Sequence, residues 1–336
     1  MRKHLDEKIF VEINGMRQGM FLQSENTNGP VLLFLHGGPG SPEICFTKKY
    51  PAVLEKLFTI CWWEQRGSGI SYSNTIPKEL MTIEQMISDI LAVAKYLKER
   101  FGKEKIYVMG HSCGSFLGMF AVQRAPEYFY AYIGIAQVCQ QAKSEQLAYD
   151  YMLQKYHTVG NKKMVYKLEK FRIDNWKEIN IKYHNIRNVC MNQLGIGLMH
   201  NSVSRLEIVM ILLCFKGYTW KEKMQYLRGG SFSLTCLWSY VLCGDLFKEV
   251  PCIEVPVYML HGKYDYKVSY SLAEEYIRVL QAPLKGFYTF EDSAHSPCQE
   301  EPEWMFQIMQ EDVLQGRVDL ADSLECIDQS GVKVTN

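Results

Sequence analysis

The spacing of apolar and polar positions changes along the chain, and each change marks an element. Two short apolar-rich segments, KIFVEI (8–13) and GMFLQS (19–24), flank Asn14-Gly15, a dipeptide that favours a two-residue hairpin turn. VLLFLHGG (31–38) is a continuous apolar run ending in glycines, and FTICWWEQRGSG (58–69) is a second. Runs of that kind predict strands buried on both faces. From 83 to 101 the period lengthens: Ile83, Met86, Ile87, Ile90, Leu91, Ala94 and Leu97 fall on one helical face, and Gly102 closes the helix. A strand IYVMG (106–110), a helix running to 124 and stopping before Pro126, and a strand AYIGIAQV (131–138) follow. Strand and helix in alternation predict an α/β architecture with a largely parallel sheet.

Between 140 and 248 the alternation stops. No clear strand pattern is visible, and EQLAYDYMLQKY (145–156), KKMVYKLEKF (162–171) and RLEIVMILLCF (205–215) read as helices. Strand and helix return at IEVPVYMLHGKYD (253–265), SLAEEYIRVLQ (271–281) and GFYTFEDSAHS (286–296). The economical organisation is a core of 1–139 and 251–316, a helical cap of 140–250 inserted into it, and a peripheral tail, 317–336.

Composition narrows the partner. Lys plus Arg (37) balance Asp plus Glu (37), so no net field attracts nucleic acid or an anionic membrane, and a small, nearly neutral partner is expected. The charged start of the chain is no signal sequence, and its longest plain apolar run, 208–215, is too short to span a bilayer, so a cytoplasmic location is expected. Eleven cysteines without a C-x-x-C pair fit reduced thiols, mostly small core residues, better than a disulfide framework or a zinc site.

The chemistry begins at Gly110-His111-Ser112-Cys113-Gly114, which lies where a strand turns into a helix. Flanking glycines allow the sharp turn that lifts a serine hydroxyl above the sheet at a helix N-terminus. A serine needs a base and an orienting acid, which in this architecture follow it in the order acid, then histidine. Asp265 sits just past a strand and His295 lies 30 residues on (295 − 265). The expected roles are Ser112 as nucleophile, His295 as general base and acid, and Asp265 as the group that fixes the imidazole tautomer. Asp292 is the rival acid, while His36, His111 and His261 read as structural residues beside glycine turns. His36-Gly37-Gly38-Pro39-Gly40 supplies small residues after a strand. Gly38 N–H and Cys113 N–H are the expected oxyanion-hole donors, with a cis Gly38–Pro39 bond. The loop lacks the Lys-Ser/Thr pair of a phosphate-binding P-loop and the G-x-G-x-x-G fingerprint.

HGGPGS, WWEQRGSGIS, GHSCGS, HGKYD and SAHS, in that order and spacing, resemble the prolyl iminopeptidase family of α/β-hydrolases, over roughly 30–138 and 253–300. That resemblance implies an α/β-hydrolase fold with a mostly parallel eight-stranded sheet, an inserted helical cap, the Ser112–Asp265–His295 triad and the Gly38/Cys113 oxyanion hole. It further implies a metal-free, cofactor-free serine hydrolase that forms an acyl-enzyme and releases N-terminal residues from peptides. A carboxylesterase acting on small esters is the alternative, and a silent ligand-binding homologue a third reading. Two departures bear on specificity: Glu64 stands where the family usually has aspartate, and Cys113 where it often has tryptophan. Cap glutamates hold the substrate's amino group in the family. Glu145, Glu207 and Asp245 are the candidates here.

Overall fold

The computed structural model describes residues 4–171, 181–201, 203–323, 326–327 and 333–334. β1 (Leu5–Ile13) and β2 (Met16–Ser24) pair antiparallel, with Ile13 opposite Met16. Asn14 at φ 46° and Gly15 at φ 71° form the turn between them. Two successive left-handed residues match the twist of the flanking strands, which is why Asn-Gly is effective there.

The remaining strands of the sheet are β3 (Val31–Leu35), β4 (Thr59–Trp63), β5 (Ile106–His111), β6 (Phe129–Ile135), β7 (Val257–Gly262) and β8 (Lys285–Phe290). Among the described residues they join the hairpin in one eight-stranded sheet of order β1-β2-β4-β3-β5-β6-β7-β8. β2 is antiparallel to both neighbours, and the pairings from β4 across to β8 are parallel. Successive side chains feed opposite layers: Leu33 and Leu35 pack with Ile90 and Leu117, whereas Leu32 and Phe34 pack with Met305 and Ile308. Burial on both faces explains the unbroken apolar runs. The parallel strands also bring the C-terminal ends of β3, β5, β7 and β8 to one edge, where loops can converge.

Helices cover both faces. α1 (Ile44–Thr47) follows the β3 loop. α2 (Ile83–Phe101) starts at Thr82, whose side chain accepts from Gln85 N–H, and ends at Gly102 with φ 60°. α3 (Cys113–Arg124) begins directly after Ser112. Between β6 and β7 the described elements are α4 (Gln141–Thr158), α5 (Lys162–Glu169), α6 (Ile181–Gln193), α7 (Arg205–Cys214), α8 (Trp220–Cys243) and α9 (Leu246–Glu249). α10 (Tyr270–Val279), α11 (Pro297–Glu300) and α12 (Pro302–Ile308) complete the fold. No helix among the described residues is long and apolar enough to cross a membrane.

The inserted helices divide into two packing groups. Met152, Leu168, Cys190 and Met191 form a core of their own. By contrast, Ile211 and Leu212 of α7 join one sheet layer, while Leu237 and Val241 of α8 join the other. α8 carries Gly229-Gly230 mid-helix, which costs helix propensity. The absence of a Cβ explains their presence: one at Gly229 would lie 2.9 Å from Gly67 O, and one at Gly230 would lie 3.2 Å from Gly40 O. α8 thus presses on two glycine loops of the sheet edge. Of the segment 317–336, Asp322 lies beside β8, its N–H donating to Phe287 O at 2.8 Å. Cys326–Ile327 pairs with Lys333–Val334, and the rest of 324–336 lies outside the described residues.

Candidate active site

Ser112 is the pivot between β5 and α3. Its backbone sits at φ 54°, ψ −121°, a conformation that L-residues rarely adopt, and its N–H donates to Ile135 O at 2.9 Å. The flanking glycines are sterically obligatory. A Cβ at Gly110 would lie 2.5 Å from Gly114 O, and one at Gly114 only 2.0 Å from Leu35 O. The β3 loop closes over the serine, since a Cβ at Gly37 would meet Ser112 Cβ at 3.0 Å. In the same loop the Gly38–Pro39 bond is cis and Gly38 has φ 120°.

Asp265 and His295 arrive from β7 and from the loop beyond β8. His295 Nδ1 lies 2.8 Å from Asp265 Oδ2. The other oxygen, Oδ1, accepts from Lys267 N–H at 2.9 Å and Val268 N–H at 3.0 Å. Burial opposes the charge on Asp265, yet His295 and His261 hold its carboxyl below the ordinary range. Burial lowers His295 to about 4 despite Asp265, so the ring is neutral at pH 7. A neutral ring that donates through Nδ1 keeps Nε2 as a proton acceptor. Asp292 is elsewhere: it is exposed, and its N–H donates to Glu301.

Ser112, His295, Gly38 and Cys113 share one cavity of about 560 Å³. The inserted helices supply its far wall through His184, Arg187, Tyr226 and Trp238. The insertion also touches the histidine loop directly, because His295 N–H donates to Gly197 O at 3.3 Å.

The three acids expected to face this cavity do not line it. Glu145 is fully buried behind Arg187, 2.6 Å from its Nε, and accepts from Gln141. Packing of α6 against α4 places that guanidinium over the carboxylate. Glu207, in the first turn of α7, pairs with Lys49 and accepts from Tyr50 Oη at 3.0 Å. Asp245 lies beyond the end of α8, where it accepts from Gln140 at 2.8 Å and meets Lys248.

Glu43 is the one acidic residue among the described residues of the lining, and sequence reasoning passed over it. Its Oε1 accepts from Gly37 N–H at 3.1 Å and lies 2.7 Å from His111 Nδ1. His111 Nε2–H donates in turn to His295 O at 2.8 Å. Burial disfavours both charges of the pair, yet each partner stabilises the other: His111 is raised and Glu43 lowered. His111 therefore links the glycine loop to the histidine loop rather than merely filling a turn. His36 is structural as expected, donating to Gly37 O and accepting from Gln65 N–H. The one legible hint for Glu43 was its place just after the glycine loop.

Comparison with known proteins identifies the fold and the family. A family model described as the alpha/beta hydrolase fold matches residues 30–174. The chain is 34% identical over 292 residues to a probable aminopeptidase, YbaC, of Bacillus subtilis (strain 168), spanning 87% of this chain and 91% of that one. It is 32% identical to a proline iminopeptidase of Neisseria gonorrhoeae over 121 residues, 35% of this chain and 36% of the relative. Among solved structures, proline iminopeptidase of Mycobacterium smegmatis superposes with a TM-score of 0.63 at 14% identity, covering 92% and 98% of the two chains. The elbow and the glycine loop fall inside the matched family region, and the likeness to the Bacillus protein extends over most of the chain: this chain is a hydrolase and belongs to the prolyl iminopeptidase-like α/β-hydrolases.

Proposed function

We propose that the chain is a serine peptidase of the aminopeptidase type, acting through an acyl-enzyme on Ser112. The observation that carries this reading is that a strained serine and a buried, neutral, carboxylate-oriented histidine open into one cavity. The relatives named aminopeptidase and proline iminopeptidase supply the substrate class.

In this mechanism His295 Nε2 takes the Ser112 proton as Oγ attacks the scissile carbonyl. Asp265 stabilises the imidazolium that forms. Gly38 N–H and Cys113 N–H receive the oxyanion, aided by the positive end of the 12-residue helix α3. His295 then protonates the departing amine, and water repeats the sequence on the acyl-enzyme. An exopeptidase must also pair the substrate's ammonium in a partly dry cleft. Glu43 fills that role: its Oε1 is taken by Gly37 and His111, and its Oε2 has no partner among the described residues.

A fluorophosphonate should label Ser112 alone. Ser112→Ala should abolish labelling and lower kcat on the order of 10³-fold or more. The enzyme should prefer anilides with a free α-amine over their acetylated forms, and Glu43→Gln should reduce that preference about 30-fold or more. An adduct on another serine would overturn the nucleophile. Equal rates on free and acetylated anilides, or turnover confined to p-nitrophenyl esters, would replace the aminopeptidase reading with the esterase.

A further inference from the structure

Lys267 follows Asp265 by two positions, and its backbone is fixed from both sides. Its N–H donates to Asp265 Oδ1 at 2.9 Å, and its carbonyl accepts from Gln141 at 2.8 Å and Arg187 at 3.4 Å. Lys267 lines the same cavity as Ser112 and His295. Arg187, the other strong cation of that wall, has its counter-ion in Glu145 at 2.6 Å. The Lys267 ammonium has no hydrogen-bond or ion-pair partner among the described residues.

A cation facing a sheltered cleft without a direct ion-pair partner is costly and is relieved by an incoming anion. Burial, with Arg187 nearby, draws the ammonium down to about 8 against the pull of Asp265, Glu145 and Glu43, none of which bonds to it directly. Four carbons of side chain give that ammonium reach, and it stays mostly charged at pH 7. The cavity therefore presents opposite charges in separate places: the free carboxylate oxygen of Glu43 beside the glycine loop, and the ammonium of Lys267 beside the triad acid.

We propose that Lys267 is a specificity residue that binds a carboxylate of the substrate. The shared chemistry has two sources, the free C-terminus of a di- or tripeptide or an acidic side chain of the residue released. An extended dipeptide or tripeptide spans about 7–10 Å, a length that the cavity of about 560 Å³ accommodates. This inference rests on the peptidase reading above, and binding to an inactive variant separates the two.

The experiment measures calorimetric binding to full-length Ser112→Ala of leucylglycine, its C-terminal amide, glutamylglycinamide and glutaminylglycinamide. Tighter binding of leucylglycine than of its amide, by about tenfold or more, identifies the C-terminus as the source. The same margin for glutamylglycinamide over glutaminylglycinamide identifies the side chain. In either case Lys267→Met in the Ser112→Ala background should remove the discrimination, and Lys267→Arg should keep part of it. Should Lys267→Met fail to fold, competition in the wild-type protein decides: leucylglycine should inhibit anilide turnover more strongly than its amide, or glutamylglycinamide more strongly than glutaminylglycinamide. Indifference to the carboxylate in both pairs, or discrimination that survives Lys267→Met, overturns the proposal. Failure of fluorophosphonate labelling would instead remove the peptidase reading and leave the binding result standing.

Discussion

His295 is subject to opposing influences whose balance sets a measurable pH dependence. Burial lowers its pKa to about 4; Asp265 works against this, while Lys267 and His111 add to it. A general base must be neutral, so kcat/KM on an aminoacyl anilide, whose α-amine stays protonated across this range, should hold its plateau as pH falls through 6.5 and decline only toward 4. A break near 6.5 in the pH–rate profile would show that burial does not control the ring. The sign for stability follows from proton counts. Between about 4 and 6.5 the unfolded ring binds more protons than the folded one, so this group's contribution is complete above 6.5 and is lost as pH falls through that window. At this scale the sequence displayed Ser112, Asp265 and His295 because each stands at the end of a recognisable strand. It concealed Glu43 and His111, which are 68 positions apart and meet only through loop packing. Glu145, Glu207 and Asp245 misled for the same reason: a carboxylate's spacing along a helix does not name the cation that folding brings to it.

Among the elements, α2 shows how far periodicity reaches. Met86, Ile87, Ile90, Ala94 and Leu97 are buried as their spacing predicts, but the same face also buries Asp89. Asp89 is completely enclosed and accepts from Arg66 at 2.7 and 3.0 Å, Gln18 at 2.9 Å, and Gln85 and Asn14 at 2.8 Å each. This network fastens the first hairpin and the WWEQRG loop to the helix. Asp89→Ala would strand the Arg66 guanidinium, which is only 3% exposed, without a counter-charge. The expected loss is about 3–5 kcal/mol, read as a lower denaturation midpoint with an unchanged m-value. A loss below about 1 kcal/mol would mean that Arg66 finds water instead. Local patterns displayed the strands well, since 31–35 and 60–63 are apolar throughout. They displayed α8 poorly. Its two central glycines argue against a helix until the loops against which they pack are known.

For the whole molecule, the inserted helices matter because they wall the cavity and fasten to the sheet. Tyr218, between α7 and α8, donates its hydroxyl to the buried Glu64, whose other oxygen accepts from Ile70 N–H at 2.6 Å. Glu222 binds Lys8 of β1 at 2.9 Å. A cavity of about 560 Å³ has room for the roughly 7–10 Å of an extended di- or tripeptide, whereas six extended residues span about 20 Å. In a series of glycine-extended peptides, kcat/KM should therefore fall by about tenfold or more between three and six residues, with the loss mainly in KM. A flat series would show that the wall opens to let longer chains leave the cleft. The general architecture was visible in the sequence as alternation, interruption and return. The contents of the wall were not, because Arg187, Trp238 and Lys267 acquire their roles from the way separate helices and loops meet.

The sheet order has one further consequence, for biosynthesis. β5 and the elbow it carries have their sheet neighbours once β6 has emerged, but β7 and β8 bring Asp265 and His295 to the same edge much later. His295 follows Ser112 by 183 positions (295 − 112). At about 5–20 residues per second, a ribosome takes roughly 10–40 s to add them. Throughout that interval the growing polypeptide holds its proposed nucleophile without a base, and so it is chemically inert toward other nascent peptides around it. Arrival of the histidine loop is, in that sense, the first activation step of the enzyme.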